Sequence, residues 1–191
     1  MTSFWETVLV DGHDIDVCST VPSGQGQEPF PAVILSHHGG GVDKFIQEMS
    51  DRLADAGHAA VAPNLFHRYT SEMLADRSGR VLHLSDPEIV ADINAAVDFL
   101  QSHPDVNQDR IGVTEFCIGG RVTWLAAASN PHFQAMVPYY GGNINVIWGA
   151  GWKSPFELTE GIKCPVLFHF GEKDINPSAE DMAALDAELT R

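Results

Sequence analysis

The stretch Arg110-Ile-Gly-Val-Thr-Glu-Phe-Cys-Ile-Gly-Gly-Arg121 decides the fold. A mostly β-branched run, Ile111 to Thr114, leads almost directly into Cys117, and two glycines and an apolar helical segment, Val122 to Ala128, follow at once. A strand that ends on a small nucleophile and turns straight into a helix has the layout of a nucleophile elbow. The sharp turn holds one reactive side chain proud of the backbone, glycines let neighbouring elements close in, and the new helix points its positive end at that side chain. A thiol placed there has its thiolate favoured, and the thiolate is the reactive form.

Outward from the elbow, strand and helix signals alternate. Trp5 to Val10 and Ile15 to Val21 flank Asp11-Gly12, which predicts an N-terminal antiparallel hairpin. A Gly-, Gln- and Pro-rich loop spans Pro22 to Pro29. Ala32 to Leu35 reads as a buried strand; Lys44 to Ala56 has a helical period (Phe45, Met49, Leu53) and stops at Gly57. His58 to Ala62 is a second strand ended by Pro63, and Asp86-Pro87 opens a long helix with Ile89, Ile93, Ala96, Val97 and Leu100 on one face. After the elbow strand and its helix, Gly119 to Ser129, come strands at Gln134–Pro138 and Pro165–Phe170, separated by an irregular excursion from Gly141 to Lys163. Ser178 to Leu189 is a final amphipathic helix. This alternation predicts a single α/β domain over residues 1–191, a mostly parallel sheet with helices on both faces. Such sheets bind ligands beyond the carboxyl ends of their strands, and Cys117 lies at such an end.

The composition narrows the partners. At 191 residues with 44% hydrophobic and 19% charged residues, the chain suits one globular domain with a substantial core. A formal net charge of −15 argues against nucleic acid, whose phosphates call for a basic face. No apolar run approaches the ~18 residues of a membrane span, and Met1 to Glu6 lacks a signal-peptide core, so a cytoplasmic protein that does not engage a membrane is expected. Three cysteines at 18, 117 and 164 form neither a disulfide framework nor a zinc site, and the histidines show no metal-ligand spacing; no metal is expected. The sequence leaves the oligomeric state open.

Two further signals bear on Cys117. His37-His38-Gly39-Gly40-Gly41 follows the first parallel strand, and its glycine amides are free to approach a developing oxyanion; a plain glycine loop is the other reading. Gly171-Glu172-Lys173-Asp174, just past the strand Val166 to Phe170, is where an acid serving the nucleophile belongs.

Phe116-Cys117-Ile118-Gly119-Gly120, Val61-Ala62-Pro63-Asn64-Leu65-Phe66, Tyr139-Tyr140-Gly141-Gly142 and Pro165 to Asp174 together resemble the dienelactone hydrolase family, from about Val8 to the last residue. The resemblance implies an α/β-hydrolase fold with a Cys-Asp-His triad that opens lactones or cleaves small esters through an acyl-enzyme, without a metal or organic cofactor. It implies Cys117 as nucleophile, Asp174 as acid, and the amides of Gly39 and Ile118 as the oxyanion hole. The alternative is a weakly active or inactive relative that binds a small acid or senses oxidants through Cys117.

The chain departs from the pattern in three places. No histidine follows Asp174, which leads us to expect a further carboxyl-terminal piece of about 30–50 residues. Glu115 stands where the elbow calls for glycine, and its Cβ is expected to crowd the strand–helix contact. His38 stands where the family usually has a glutamate. Glu115, partnered by His38, is therefore a candidate for tuning the thiol; equally, Glu115 points to solvent or pairs with Arg121, itself a candidate for tuning or substrate contact. His38 is also a candidate base for Cys117. His169 reads as a packed core histidine, and Cys18 and Cys164 as buried, inert thiols. Arg68, Arg77 and Arg80 either pair with a substrate carboxylate or are surface residues, and Trp148, Trp152 and Phe156 either line a pocket or fasten their loop.

Overall fold

The computed structural model describes residues 2–23, 29–76 and 79–191; positions 24–28 of the expected loop, and Arg77, lie outside the described residues. β1 (Thr2–Val10) and β2 (His13–Val21) pair antiparallel across Asp11-Gly12, both at positive φ (50° and 81°), the conformation a two-residue hairpin turn demands. β3 (Phe30–Leu35), α1 (Lys44–Asp55), β4 (Ala59–Pro63), α2 (Asp86–Ser102), β5 (Val106–Phe116), α3 (Ile118–Ser129), β6 (Phe133–Tyr139) and α4 (Ala179–Leu189) follow. Two short 3₁₀ turns, Arg80–His83 and Thr159–Gly161, lie in stretches without a periodic signal.

The sheet order is β1-β2-β4-β3-β5-β6, with the last four strands parallel and β2 antiparallel to both neighbours. One face buries Cys18, Leu35 and Ala62 under Ile46 of α1. The other buries Ile15, Val17, Ile34, Val61 and Val113 against Ile89, Ile93 and Val97 of α2 and Val122 and Leu125 of α3. Helices thus cover both faces, as parallel pairing requires. The buried stripe of α1 is Ile46, Ser50 and Ala54; Phe45, assigned to it by periodicity, is turned outward and 45% exposed. α1 starts on Asp43, whose side chain accepts from the Phe45 and Ile46 amides, and gives way at Gly57 (φ 85°).

The segment Pro165–Phe170 meets β6 only through two isolated parallel bridges, Met136↔Val166 and Tyr139↔His169. Among the described residues it is hydrogen-bonded on one side alone, to β6, and its two bridges do not join into a continuous strand. Its alternation leaves Leu167 and His169 exposed; His169 is therefore not a core residue, and its ring stacks on Tyr139 with centroids 4.7 Å apart.

The chain leaves β3 for β4 on one side and comes back to β5 on the other. The loops after β3 and β5 therefore part at their carboxyl ends and leave a crevice there. Among the described residues no helix is long and apolar enough to cross a membrane.

Candidate active site

Cys117 stands in that crevice, between the last residue of β5 and the first of α3. Its backbone sits at φ 59°, ψ −125°, a region that L-residues rarely enter. Its amide donates to the Tyr139 carbonyl (3.1 Å), and its own carbonyl accepts from Gly120 N–H (2.9 Å). The side chain is exposed while Glu115, Gly119 and Gly120 around it are buried. A strained non-glycine residue of this kind persists only where its surroundings over-determine it, and such residues gather at functional sites. Cys18 is buried and Cys164 half-buried, and burial pushes both thiols up; among the three cysteines only Cys117 is exposed.

The glycines do what the sequence assigns them. A Cβ on Gly120 would lie 2.6 Å from the Tyr139 carbonyl oxygen and 2.9 Å from the Gly141 nitrogen, so α3 and the end of β6 touch backbone to backbone. Gly120→Ala is expected to cost about 1–3 kcal/mol, because the obstacle is backbone and cannot rotate away. Denaturant unfolding reads this directly, and an unchanged midpoint would contradict the contact.

Gly119 resolves the misfit expected at position 115. A Cβ there would meet the Glu115 side chain and the His37 carbonyl oxygen (2.5 Å), so the space missing before the nucleophile is found after it. Glu115 neither reaches solvent nor meets Arg121: it is 0% exposed. One carboxyl oxygen accepts from Phe116 N–H (3.0 Å), while the other is buried without a partner. Burial pushes this carboxyl up to about 8, against the opposing Phe116 N–H. At neutral pH Glu115 is a buried, neutral acid. It makes no hydrogen bond to His38, whose partners lie elsewhere.

His37 and His38 open the loop after β3. His37 is fully buried; its Nδ1 donates to the His38 carbonyl (2.7 Å) and its Nε2 accepts from Leu65 N–H (3.0 Å). Burial lowers this ring to about 4, so it stays neutral and pins the loop to the segment after β4. His38 Nδ1 accepts from Gly40 N–H (3.0 Å), which leaves Nε2 as the protonated nitrogen facing Asp43 (3.3 Å). Both nitrogens are thus engaged, and the ring has no free lone pair for the thiol. Beyond it, the Gly39 amide has no acceptor among the described residues, and a side chain at Gly39 would meet open space. The Ile118 amide lies in the first turn of α3, where a helix leaves its N–H groups unpaired.

A cavity of about 510 Å³ joins these parts, lined by His38, Gly39, Gly40, Asp43, Phe45, Phe116, Cys117 and Tyr140. Asp43, Phe45 and Tyr140 were not singled out as site residues by the sequence. Asp43 had a findable signal, an aspartate just before a helical period. Among the described residues no cluster of three His, Cys, Asp or Glu side chains is placed to hold a metal ion.

Asp174 sits on the loop after the edge segment, with Oδ1 accepting from the Ile175 (2.8 Å) and Asn176 (3.2 Å) amides. Asn176 ties that loop down: its Oδ1 accepts from Asn143 N–H (2.9 Å) and its Nδ2 donates to the Asn143 side chain (3.1 Å). Asn143 follows Gly141, which packs on Gly120, so the Asp174 loop is tied through short contacts to the helix that carries the elbow.

Arg121 is placed away from the cavity. It is fully buried, paired with both carboxylate oxygens of Asp86 (2.7 and 3.1 Å), and it donates to the carbonyls of Asn143 and Val146. Trp148 lies under its guanidinium at 3.6 Å. It therefore fastens the 141–163 excursion, buried away from any substrate. Trp152 is 75% exposed under Lys153, and Phe156 packs on the core; neither lines the cavity. Arg68 pairs with Asp92 through Nη1 (2.6 Å) while its Nη2 is buried without a hydrogen-bond partner, and Arg80 donates through Nε to the Leu74 carbonyl (2.6 Å).

Residues 15–191 match the model of the dienelactone hydrolase family. A Methylorubrum extorquens protein named "Putative carboxymethylenebutenolidase" is 32% identical over 151 residues, 76% of this chain and 52% of the relative. A Synechocystis protein of the same name is 30% identical over 195 residues, 96% of this chain and 78% of the relative. The matched stretch thus spans from about half to about four fifths of the length of these two relatives. Among solved structures, a "Putative Dienelactone Hydrolase" from Klebsiella pneumoniae superposes with a TM-score of 0.87 at 26% identity, covering 99% of this chain and 80% of that one.

Proposed function

The chain belongs to the dienelactone hydrolase family, and from that premise we propose that it hydrolyses small esters or lactones through Cys117 and an acyl-enzyme. The observation that carries this is the exposed thiol at a strained strand–helix turn, facing a cavity bordered by an unpaired glycine amide.

The Cys117 thiolate sulfur attacks the carbonyl carbon and forms a carbon–sulfur bond. The carbonyl π pair moves onto oxygen, and the amides of Gly39 and Ile118 receive that oxyanion. Collapse breaks the bond to the leaving alkoxide or phenoxide, which takes a proton and departs, leaving a thioester. Water then attacks the thioester, releasing the acid and the thiol. Proton transfers call for a base oriented by Asp174. His37 is spent on Leu65 and His38 on Gly40 and Asp43, so neither of the two histidines next to the elbow serves as that base.

The test is turnover of phenyl acetate and of a small γ- or δ-lactone by the full-length protein, expected to saturate with substrate. Failure to turn over either would leave the alternative, a family member that binds small acids or responds to oxidants through Cys117.

A further inference from the structure

We infer that the Tyr140 hydroxyl is a catalytic hydrogen-bond donor to the leaving-group oxygen, acting from the side of Cys117 opposite Gly39; the inference rests on the hydrolase proposal above. Tyr140 is a second strained residue in the crevice. Its φ is 41°, in the left-handed region that a bulky aromatic residue rarely enters. The backbone on both sides holds it there. The Tyr140 amide donates to the His169 carbonyl (2.7 Å), and the preceding Tyr139 carbonyl accepts from Cys117 N–H (3.1 Å). The following Gly141 lies against the backbone of Gly120 and Arg121 too closely for any Cβ. The nucleophile and Tyr140 are thus strained neighbours, linked through Tyr139, and both line the same cavity. Strain of this kind gathers where function needs a side chain in an unfavourable place.

The hydroxyl is placed to act as a donor. The ring is 42% exposed and tilted against Phe116, with centroids 6.1 Å apart. Partial burial, and then the charges of Cys117 and Glu115, push the phenol up. The oxygen therefore lies where it feels the thiolate, and it keeps its proton at neutral pH. The sheet supplies the direction. β5, which ends at Cys117, has β3 on one side and β6 on the other. Gly39 comes from the β3 side and Tyr140 from the β6 side, and the Asp174 loop lies further out beyond β6. An acyl carbon on the sulfur, with its oxygen turned to Gly39, can turn its leaving group towards Tyr140. As the carbon–oxygen bond breaks, its electron pair goes to the leaving oxygen. Tyr140 O–H donates a hydrogen bond to that growing charge and keeps its own proton, while the leaving group takes its proton from the base.

The experiment compares full-length wild type with Tyr140→Phe, which keeps the ring on Phe116 and removes only the donor. The substrates are the acetates of 4-nitrophenol, phenol and benzyl alcohol, in rising basicity of the leaving oxygen, and kcat/KM reads the steps through acylation. A weakly basic leaving group departs with little help, and a strongly basic one needs the most. The loss in Tyr140→Phe is expected to grow along the series, from about threefold for 4-nitrophenyl acetate to about thirtyfold for benzyl acetate. A loss that is uniform along the series, as a merely structural role would give, or no loss at all, overturns the inference; wild-type turnover then leaves the hydrolase proposal standing. A wild type that turns over none of the three overturns both. A second readout needs no turnover. Alkylation of Cys117 by iodoacetamide involves no leaving oxygen, so its rate in Tyr140→Phe is expected to stay within about threefold of wild type. A slowing of about tenfold or more would make Tyr140 a residue that tunes the thiol, and would overturn the leaving-group role.

Discussion

Cys117→Ala is expected to lower ester hydrolysis by at least about a thousandfold, since loss of a covalent nucleophile leaves only binding and the oxyanion hole. The companion substitution separates chemistry from structure. Cys117 holds φ 59°, ψ −125°, and such a conformation costs an L-residue about 1–3 kcal/mol that glycine largely avoids. Cys117→Gly is therefore expected to abolish activity while raising stability by about 1 kcal/mol, after the extra chain entropy glycine loses on folding. Activity and urea midpoint measured on the same preparations check both halves. An alanine variant within tenfold of wild type would move the nucleophile elsewhere, and a destabilised glycine variant would contradict the strain.

The second large effect belongs to Glu115. Its carboxyl is raised to about 8 from an ordinary 4.5, so the folded protein keeps a proton that the unfolded chain gives up. Stability is full below about 4.5 and is lost as pH climbs through 8. At about 1.4 kcal/mol per unit, this single group removes about 3–4 kcal/mol between pH 5 and pH 8. Glu115→Gln keeps an acceptor for Phe116 N–H and cannot ionise. Its stability relative to wild type is expected to improve by about that amount from pH 5 to pH 8. Urea unfolding of both proteins at the two pH values decides it; parallel pH profiles would mean that Glu115 ionises freely where it sits.

The legible parts of the fold are those governed by neighbours in sequence. Asp11-Gly12 fixes the hairpin, Gly57 ends α1, and the run from Ile111 to Arg121 yields strand, turn and helix, although the strand extends beyond the expected Ile111–Thr114 to Val106–Phe116. Partners far apart in the chain are not legible. Nothing local tells that Arg121 will meet Asp86, 35 positions away, or that Glu115 will rest against Gly119 and stay neutral. Phe45 follows the helical period yet faces the cavity, because the neighbouring Ile46 takes the buried position. His169 reads as core from its apolar neighbours, but its edge segment has β6 on one side only, and that is a property of the sheet. The glycine-rich loop and the Asp174 turn were legible as places; that His38 is spent on Gly40 and Asp43 required the fold.

In the proposed reaction Cys117 carries the acyl group. Rapid acid quench of the full-length protein during turnover of phenyl acetate, followed by intact mass and peptide mapping, tests it without reliance on rates. An added acetyl group is expected on the peptide containing Phe116-Cys117-Ile118, labile to hydroxylamine as a thioester and missing from Cys117→Ala. An acetyl group on any other residue, or turnover with no adduct at any quench time, would contradict it.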